Sequence, residues 1–217
     1  MKELVDPNQF IISRKRKKYR FALFHNYPNC FELEEWKPLP VEGLVVEVGA
    51  GTGLFLIELA TRYPYKKFIA VDVKADRLQK GASLAVERGL ENIYFVRARA
   101  DQLLEVVEPG SVGELWLTFS DPFPKKGDAK RRLTHPKYLE IYKKAHVGKN
   151  AKLYLKTDSH SLFDWSLEQL VAADFPICEL SYDLHDSDLS SDYKIMTTYE
   201  QKWTAQGLPI YFVSANF

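Results

Sequence analysis

The sequence predicts an α/β protein: a mostly parallel sheet with helices on both faces. Three observations carry this. From Leu44 onward, apolar runs of strand length alternate with segments whose apolar residues recur at helical spacing. The first of those runs ends in Gly49, Gly51 and Gly53, the punctuation of a tight strand-to-helix turn. The composition, 217 residues with 46% hydrophobic and 27% charged, is that of a globular chain able to bury a large core. Disordered, fibrous and polycationic classes are excluded by the same figures.

Residues 1–40 read as a basic N-terminal arm, partly disordered, with scattered aromatics and no steady period. Residues 41–217 read as the folded domain. Within it, Leu44–Val48 is a strand and Leu54 to Arg62 a helix. Lys67–Val73 is a second strand, followed by a helix over Ala75–Arg88 that stops at Gly89. Ile93–Val96 and Glu114–Phe119 are further strands. His135–His146 is a helix with Pro136 in its first turn and Thr134 as its expected cap. Lys152–Lys156 is a strand, Leu162–Ala172 a helix, and Ile177–Tyr182 and Ile210–Val213 close the sheet. Such sheets bind ligands beyond the carboxyl ends of their strands, so the loops there are the place to search.

The first such loop reads Glu47-Val48-Gly49-Ala50-Gly51-Thr52-Gly53. Glycines at every second position permit close approach of a ligand to the backbone. Asp72, near the end of the second strand, suits a pair of ribose hydroxyls. A nicotinamide oxidoreductase shares these features, but its fingerprint wants a glycine where Leu54 stands. Glu47, placed just before the glycines, suits the cationic end of S-adenosylmethionine better than a pyrophosphate. Arg97-Ala98-Arg99-Ala100-Asp101 follows the third strand, where such folds cover an adenine.

The fourth strand runs into Ser120-Asp121-Pro122-Phe123-Pro124-Lys125-Lys126. Two prolines stiffen the segment that holds Asp121. Five cations lie within Lys125 to Arg132, so a carboxylate that reads a base stands beside groups that hold phosphates. A second run, Arg14 to Arg20, has six basic residues in seven. Residues 1–150 hold 26 basic and 19 acidic residues, net +7, whereas residues 151–217 hold 4 and 10, net −6. The formal charge of +1 therefore conceals a basic region beside the glycine loop. Thr197-Thr198-Tyr199-Glu200 has the spacing of a capping box. Five scattered histidines and two isolated cysteines, Cys30 and Cys178, share no metal spacing, so no metal is expected. Met1 to Asp6 lacks an apolar core of signal-peptide length, and the most apolar stretch, Leu44 to Ala60, is broken by Glu47, Glu58 and three glycines. A cytoplasmic protein with reduced thiols and no membrane association is the expectation.

Taken in order, the loop Glu47 to Gly53, Phe119-Ser120-Asp121-Pro122-Phe123-Pro124-Lys125-Lys126, Lys130-Arg131-Arg132-Leu133, Lys156-Thr157-Asp158 and Thr197-Thr198-Tyr199-Glu200 resemble the bacterial tRNA (guanine-N7-)-methyltransferases. The resemblance runs from about Glu42 to the C-terminus. It implies a Rossmann-like class I methyltransferase fold with an antiparallel closing strand, and S-adenosylmethionine as cofactor. It also implies methyl transfer to N7 of guanosine 46 in the tRNA variable loop, by a monomer or homodimer. It assigns Asp121 to catalysis, and Glu47, Gly49, Gly51, Gly53, Asp72, Arg99, Ala100 and Asp121 to the cofactor. Lys125, Asp158, Thr197, Thr198, Tyr199 and Glu200 match substrate positions. Gly127, Asp128, Ala129, Lys130, Arg131 and Arg132 match a segment that touches RNA. Arg99 stands where members often carry an acid, so a backbone contact is the expectation there. Thr118 replaces a common asparagine, and Phe123 a common tryptophan. The rival readings are methylation of another nucleobase and a non-catalytic RNA-binding relative.

Overall fold

The computed structural model describes residues 4–11, 15–146, 148 and 150–217, with side chains for all but residues 15–17 and 198. In chain order it forms α1 (Lys15–Asn26), β1 (Cys30–Glu32), β2 (Leu44–Val48), α2 (Leu54–Arg62), β3 (Phe68–Asp72) and α3 (Ala75–Glu87). Then follow β4 (Ile93–Arg97), a single turn α4 (Leu103–Val106), β5 (Val112–Thr118), α5 (Pro136–Ala145), β6 (Lys152–Thr157) and α6 (His160–Ala172). β7 (Ile177–Ser181), α7 (Thr198–Thr204) and β8 (Tyr211–Asn216) complete the chain.

The strands make one eight-stranded sheet in the order β1-β4-β3-β2-β5-β6-β8-β7. All neighbours are parallel except β6 with β8 and β8 with β7. The strand order reverses between β2 and β5. The loops leaving those two strands diverge, which opens a crevice at their carboxyl ends.

Side-chain alternation sorts the core onto the two faces. Val46, Val48, Ile69, Val71, Leu115, Leu117, Leu153 and Leu155 enter one cluster, which includes Leu139 and Tyr142 of α5 and Phe163 of α6. Val45, Phe68, Ala70, Trp116 and Tyr154 enter the other, with Phe55 of α2, Leu78 and Ala82 of α3 and Phe24 of α1. Both faces are covered, which is why the strands read as nearly continuous apolar runs.

One expectation, the cap of α5, needs correction. Residues ahead of position 40 also join the sheet. β1 pairs in parallel with β4 from Cys30↔Phe95 to Glu32↔Arg97, and Tyr27 Oη donates to Ser83 Oγ at 2.8 Å across α1 and α3. The segment hid because β1 is only three residues long and α1 confines its described buried residues to Ala22 and Phe24. Arg14 and the side chains of residues 15–17 lie outside the described residues. The cap of α5 is His135, whose Nδ1 accepts from Lys137 N at 3.2 Å, while Thr134 shares a buried hydroxyl contact of 2.7 Å with Ser166.

A close approach that the pattern did not reveal lies at Gly81 in α3. A Cβ there would sit 1.9 Å from the carbonyl oxygen of Thr52. Only a glycine lets the helix press against the glycine turn after β2, so that turn is clamped from behind.

Candidate active site

The turn after β2 wraps on itself at the sheet edge. Gly49, Gly51 and Gly53 all have positive φ, at 76°, 59° and 65°. The Gly51 N–H donates to Asp72 Oδ2 at 2.8 Å, and the Lys74 N–H donates to Oδ1 at 2.8 Å. Both bonds fix the carboxylate of Asp72 at the end of β3, with one lone pair left on each oxygen for a ligand. Gly49 and Gly51 line the crevice. Gly53 does not. It is buried at the start of α2, where a Cβ would meet the Phe95 ring at 3.0 Å. The lack of a side chain at Gly53 lets the start of α2 pack against Phe95.

Alternation also places three polar side chains on a face otherwise filled by core. Glu47 follows Val45, Thr118 follows Trp116 and Lys156 follows Tyr154, each two residues further along its strand. Thr118 Oγ1 donates to Glu47 Oε1, while Glu47 Oε2 is buried with no partner among the described residues. Burial pushes the Glu47 carboxyl up from 4.5 to about 8, against the opposing pull of the Thr118 hydroxyl and the Lys156 ammonium. An orphaned acidic oxygen in such a place is a receptor for a cation or a donor. The hydroxyl at Thr118 orients it, a role that the comparison of Thr118 with asparagine did not suggest.

This predicts a pH-dependent cost. Between about pH 4.5 and 8 the folded chain holds a proton at Glu47 that the unfolded chain has released, so stability falls as pH rises through that window. Glu47→Gln carries no such penalty. The melting temperature of the variant should gain on that of the parent between pH 5 and pH 8.5, while affinity for S-adenosylhomocysteine drops about tenfold or more. Thermal melts at the two pH values and calorimetric titration check both signs. An equal gap at both pH values would show that Glu47 does not titrate there.

After β5 the backbone enters the left-handed region twice at non-glycine residues, Phe119 (φ 49°) and Phe123 (φ 42°). Such conformations cost about 1–3 kcal/mol each and persist only when the surroundings impose them. Here the brace is Arg132. Its Nε donates to the carbonyls of Pro122 at 3.1 Å and Phe123 at 3.3 Å, its Nη2 donates to Phe123 at 3.0 Å, and its guanidinium lies 4.6 Å from the Trp165 ring centroid. Arg132 is buried and supports the loop from within. Asp121 projects from that loop, exposed. The turn Lys126–Arg131 leaves Gly127, Lys130 and Arg131 exposed and Asp128 and Ala129 half-buried. Arg131 packs 4.2 Å over the Phe123 ring and reaches Asp128 at 3.4 Å. Lys125 is exposed and lines no part of the crevice.

The far wall is α7. Thr197 Oγ1 accepts from the Glu200 N–H at 3.1 Å and Glu200 Oε2 accepts from the Thr197 N–H at 3.2 Å, closing a capping box. Tyr199 Oη donates to Asp158 Oδ2 at 3.2 Å, and its ring lies 5.5 Å from that of Phe119. Glu200 itself is fully buried. Its oxygens take Lys156 Nζ at 2.8 and 3.1 Å and His185 Nε2 at 2.8 Å. It holds the helix end in place and is not among the residues that border the crevice. The side chain of Thr198 lies outside the described residues.

Two adjoining cavities of about 490 Å³ each fill the crevice. Asp72, Ala98, Arg99 and Ala100 border one; Glu47, Thr118, Asp158, Thr197 and Tyr199 border the other. Gly49, Phe119, Ser120, Asp121 and Arg77 border both. Arg99 turns its guanidinium to Asp101, at 2.8 and 3.1 Å, so its charge is matched beside the first cavity. Among the described residues no cluster of His, Cys, Asp or Glu can hold a metal, and no helix is long and apolar enough to cross a membrane. Cys30, buried, and Cys178, exposed, form no disulfide.

A doubly covered parallel sheet, a glycine turn at its switch point, a ribose-type carboxylate and an orphaned acid beside the turn define a class I methyltransferase. Comparison agrees. A family model described as a putative methyltransferase matches residues 42–213. The tRNA (guanine-N(7)-)-methyltransferase of Cytophaga hutchinsonii is 37% identical over 217 residues, 94% of this chain and 98% of that one. That of Brevibacillus brevis is 37% identical over 171 residues, 79% of each chain. Among solved structures, the 16S rRNA methyltransferase KamB aligns with a TM-score of 0.61 at 16% identity, over 82% of this chain and 88% of that chain. A SAM-dependent methyltransferase from Aquifex aeolicus aligns with a TM-score of 0.55 at 16% identity, over 81% and 83%. The chain belongs to the tRNA (guanine-N(7)-)-methyltransferase family.

The residues present fit S-adenosylmethionine, the cofactor of that family. The unpartnered Glu47 Oε2 suits an ammonium group, the open lone pairs of Asp72 suit a ribose, and the Ala98–Ala100 backbone borders the same cavity.

Proposed function

We propose that this chain transfers a methyl group from S-adenosylmethionine to N7 of guanosine 46 in the variable loop of tRNA, working in the cytoplasm. The observation that carries the reading is the position of Asp121, on the partition between a cavity suited to adenosine and one walled by Asp158, Thr197 and Tyr199. Bound cofactor supplies an electrophilic methyl on a sulfonium. Guanine N7 already carries a free lone pair, so the protein needs no general base. Its work is alignment and charge compensation. Asp158, steadied by the Tyr199 hydroxyl, is placed to accept from the N1–H and N2–H₂ edge of guanine. Asp121 opposes the positive charge that develops on the alkylated base. Phe119 and Tyr199 offer flat surfaces to the purine, and Lys125 with the Gly127–Arg131 turn faces the phosphates.

The deciding experiment incubates the protein with labelled S-adenosylmethionine and a tRNA transcript, then maps the modified nucleoside by mass spectrometry. The expected product is 7-methylguanosine, absent when guanosine 46 is replaced by adenosine. A different methylated nucleoside, or none, overturns the reading.

A further inference from the structure

The basic loop after Asp121 accounts for one rim of the crevice. The opposite rim carries three cations that the sequence reading left unassigned. Lys74, Arg77 and Lys80 are exposed and stand three residues apart at the start and along α3, so they share one face of that helix. None of the three has an acidic side-chain partner among the described residues. The one acid of that turn, Asp76, is held by Arg20 of α1 at 3.3 Å. Three positive charges are therefore left unopposed along one line.

Their position matters more than their number. Arg77 borders both cavities, and its guanidinium Nη1 would lie 3.9 Å from a Cβ built on Gly51. Lys74 borders the cavity that holds Asp72, and Lys80 the cavity that holds Glu47 and Asp158. Across the opening stands Arg131, which also borders the first cavity. The mouth of the site thus lies between two cationic banks, one on α3 and one on the loop after β5. The same Arg20–Asp76 pair docks α1 against α3.

We infer that the Lys74–Arg77–Lys80 face of α3 is a second phosphodiester-binding surface, which holds the RNA backbone on the side of the target nucleotide opposite the Lys125–Arg131 loop. Flexible strands are gripped by phosphate contacts that fix register without reading sequence. A nucleotide lowered into a crevice needs its flanking phosphates held on both sides, and one rim alone would let it swing. The inference rests on the reading of the site as one that modifies RNA.

The test is the double substitution Arg77→Gln with Lys80→Gln, both exposed positions. Equilibrium binding to tRNA is measured from about 50 to 300 mM salt, with S-adenosylhomocysteine affinity and a thermal melt alongside. Each phosphate contact contributes about 0.7–0.9 to the slope of log K against log salt. The slope should flatten by about 1.4–1.8, with KM for tRNA raised about tenfold or more and S-adenosylhomocysteine affinity within twofold of the parent. An unchanged slope overturns the inference. So does a slope that stays put while S-adenosylhomocysteine binding weakens, which would assign Arg77 to the cofactor instead. If the parent binds tRNA with the full slope but methylates another nucleoside, the proposed reaction fails and the surface stands.

Discussion

Asp121→Ala is expected to lower kcat by about a hundredfold to a thousandfold, or about 2.7–4 kcal/mol of transition-state stabilisation, with the melting temperature unchanged. The direction follows from what Asp121 does not do. It is exposed, makes no hydrogen bond or ion pair among the described residues, and sits on a loop held by Arg132 and two prolines. Its removal costs the fold nothing. What disappears is a negative charge at the boundary of the two cavities, where alkylation of a neutral base creates a cation. Asp121→Asn keeps the shape and an acceptor oxygen but not the charge, so it should remain at least tenfold impaired. Single-turnover methylation of tRNA and S-adenosylhomocysteine binding separate the outcomes. A fall in cofactor affinity with normal kcat would move Asp121 to the cofactor's side of the ledger. Turnover within tenfold of the parent for both variants would remove it from the reaction centre.

Much of the crevice was readable because the fold writes it in local patterns. Glycine spacing announces the turn after β2, and a carboxylate at the end of a strand announces Asp72. A rigid Asp-Pro-Phe-Pro segment announces the loop after β5. Each is a short-range feature, confined to a few residues of chain. What stayed hidden depended on distance in sequence. Lys156 looked like an ordinary strand end, yet its ammonium meets a carboxylate 44 residues later. Arg132 looked like one more cation in a basic run, and only the packing against Trp165 shows that it faces inward. Nothing local to Lys74, Arg77 and Lys80 says which rim of the crevice they border. The need for glycine at Gly81 comes from the Thr52 carbonyl, 29 residues earlier in the chain. In the N-terminal segment, a three-residue strand and a basic helix fall below the length and periodicity that sequence patterns need.

Lys156→Met is expected to destabilise the fold by about 3–5 kcal/mol, roughly 10 °C in Tm for a chain of this size. Lys156 and Glu200 are both fully buried, and each satisfies the other. Lys156 Nζ also donates to the Ile195 carbonyl at 3.0 Å, and Glu200 caps α7 while it accepts from His185. Burial pulls the Lys156 ammonium below its ordinary range and the Glu200 carboxylate pulls it back. Methionine matches the volume of the stem but strands the carboxylate in the core. Removing one member of such a pair leaves an uncompensated charge, whereas removing both leaves none. The double variant Lys156→Met with Glu200→Leu should therefore recover a large part of the lost stability. Its recovery should not extend to function. Without Glu200 the capping box at Thr197 opens, and Tyr199 loses the anchor that sets it against Asp158 and Phe119. KM for tRNA should stay raised in the restabilised double variant. Chemical denaturation of the parent, both single variants and the double variant gives the coupling energy directly. If Lys156→Met melts within about 2 °C of the parent, the buried pair does not hold α7. If the double variant regains both stability and a normal KM for tRNA, the wall formed by Thr197 and Tyr199 stands without it.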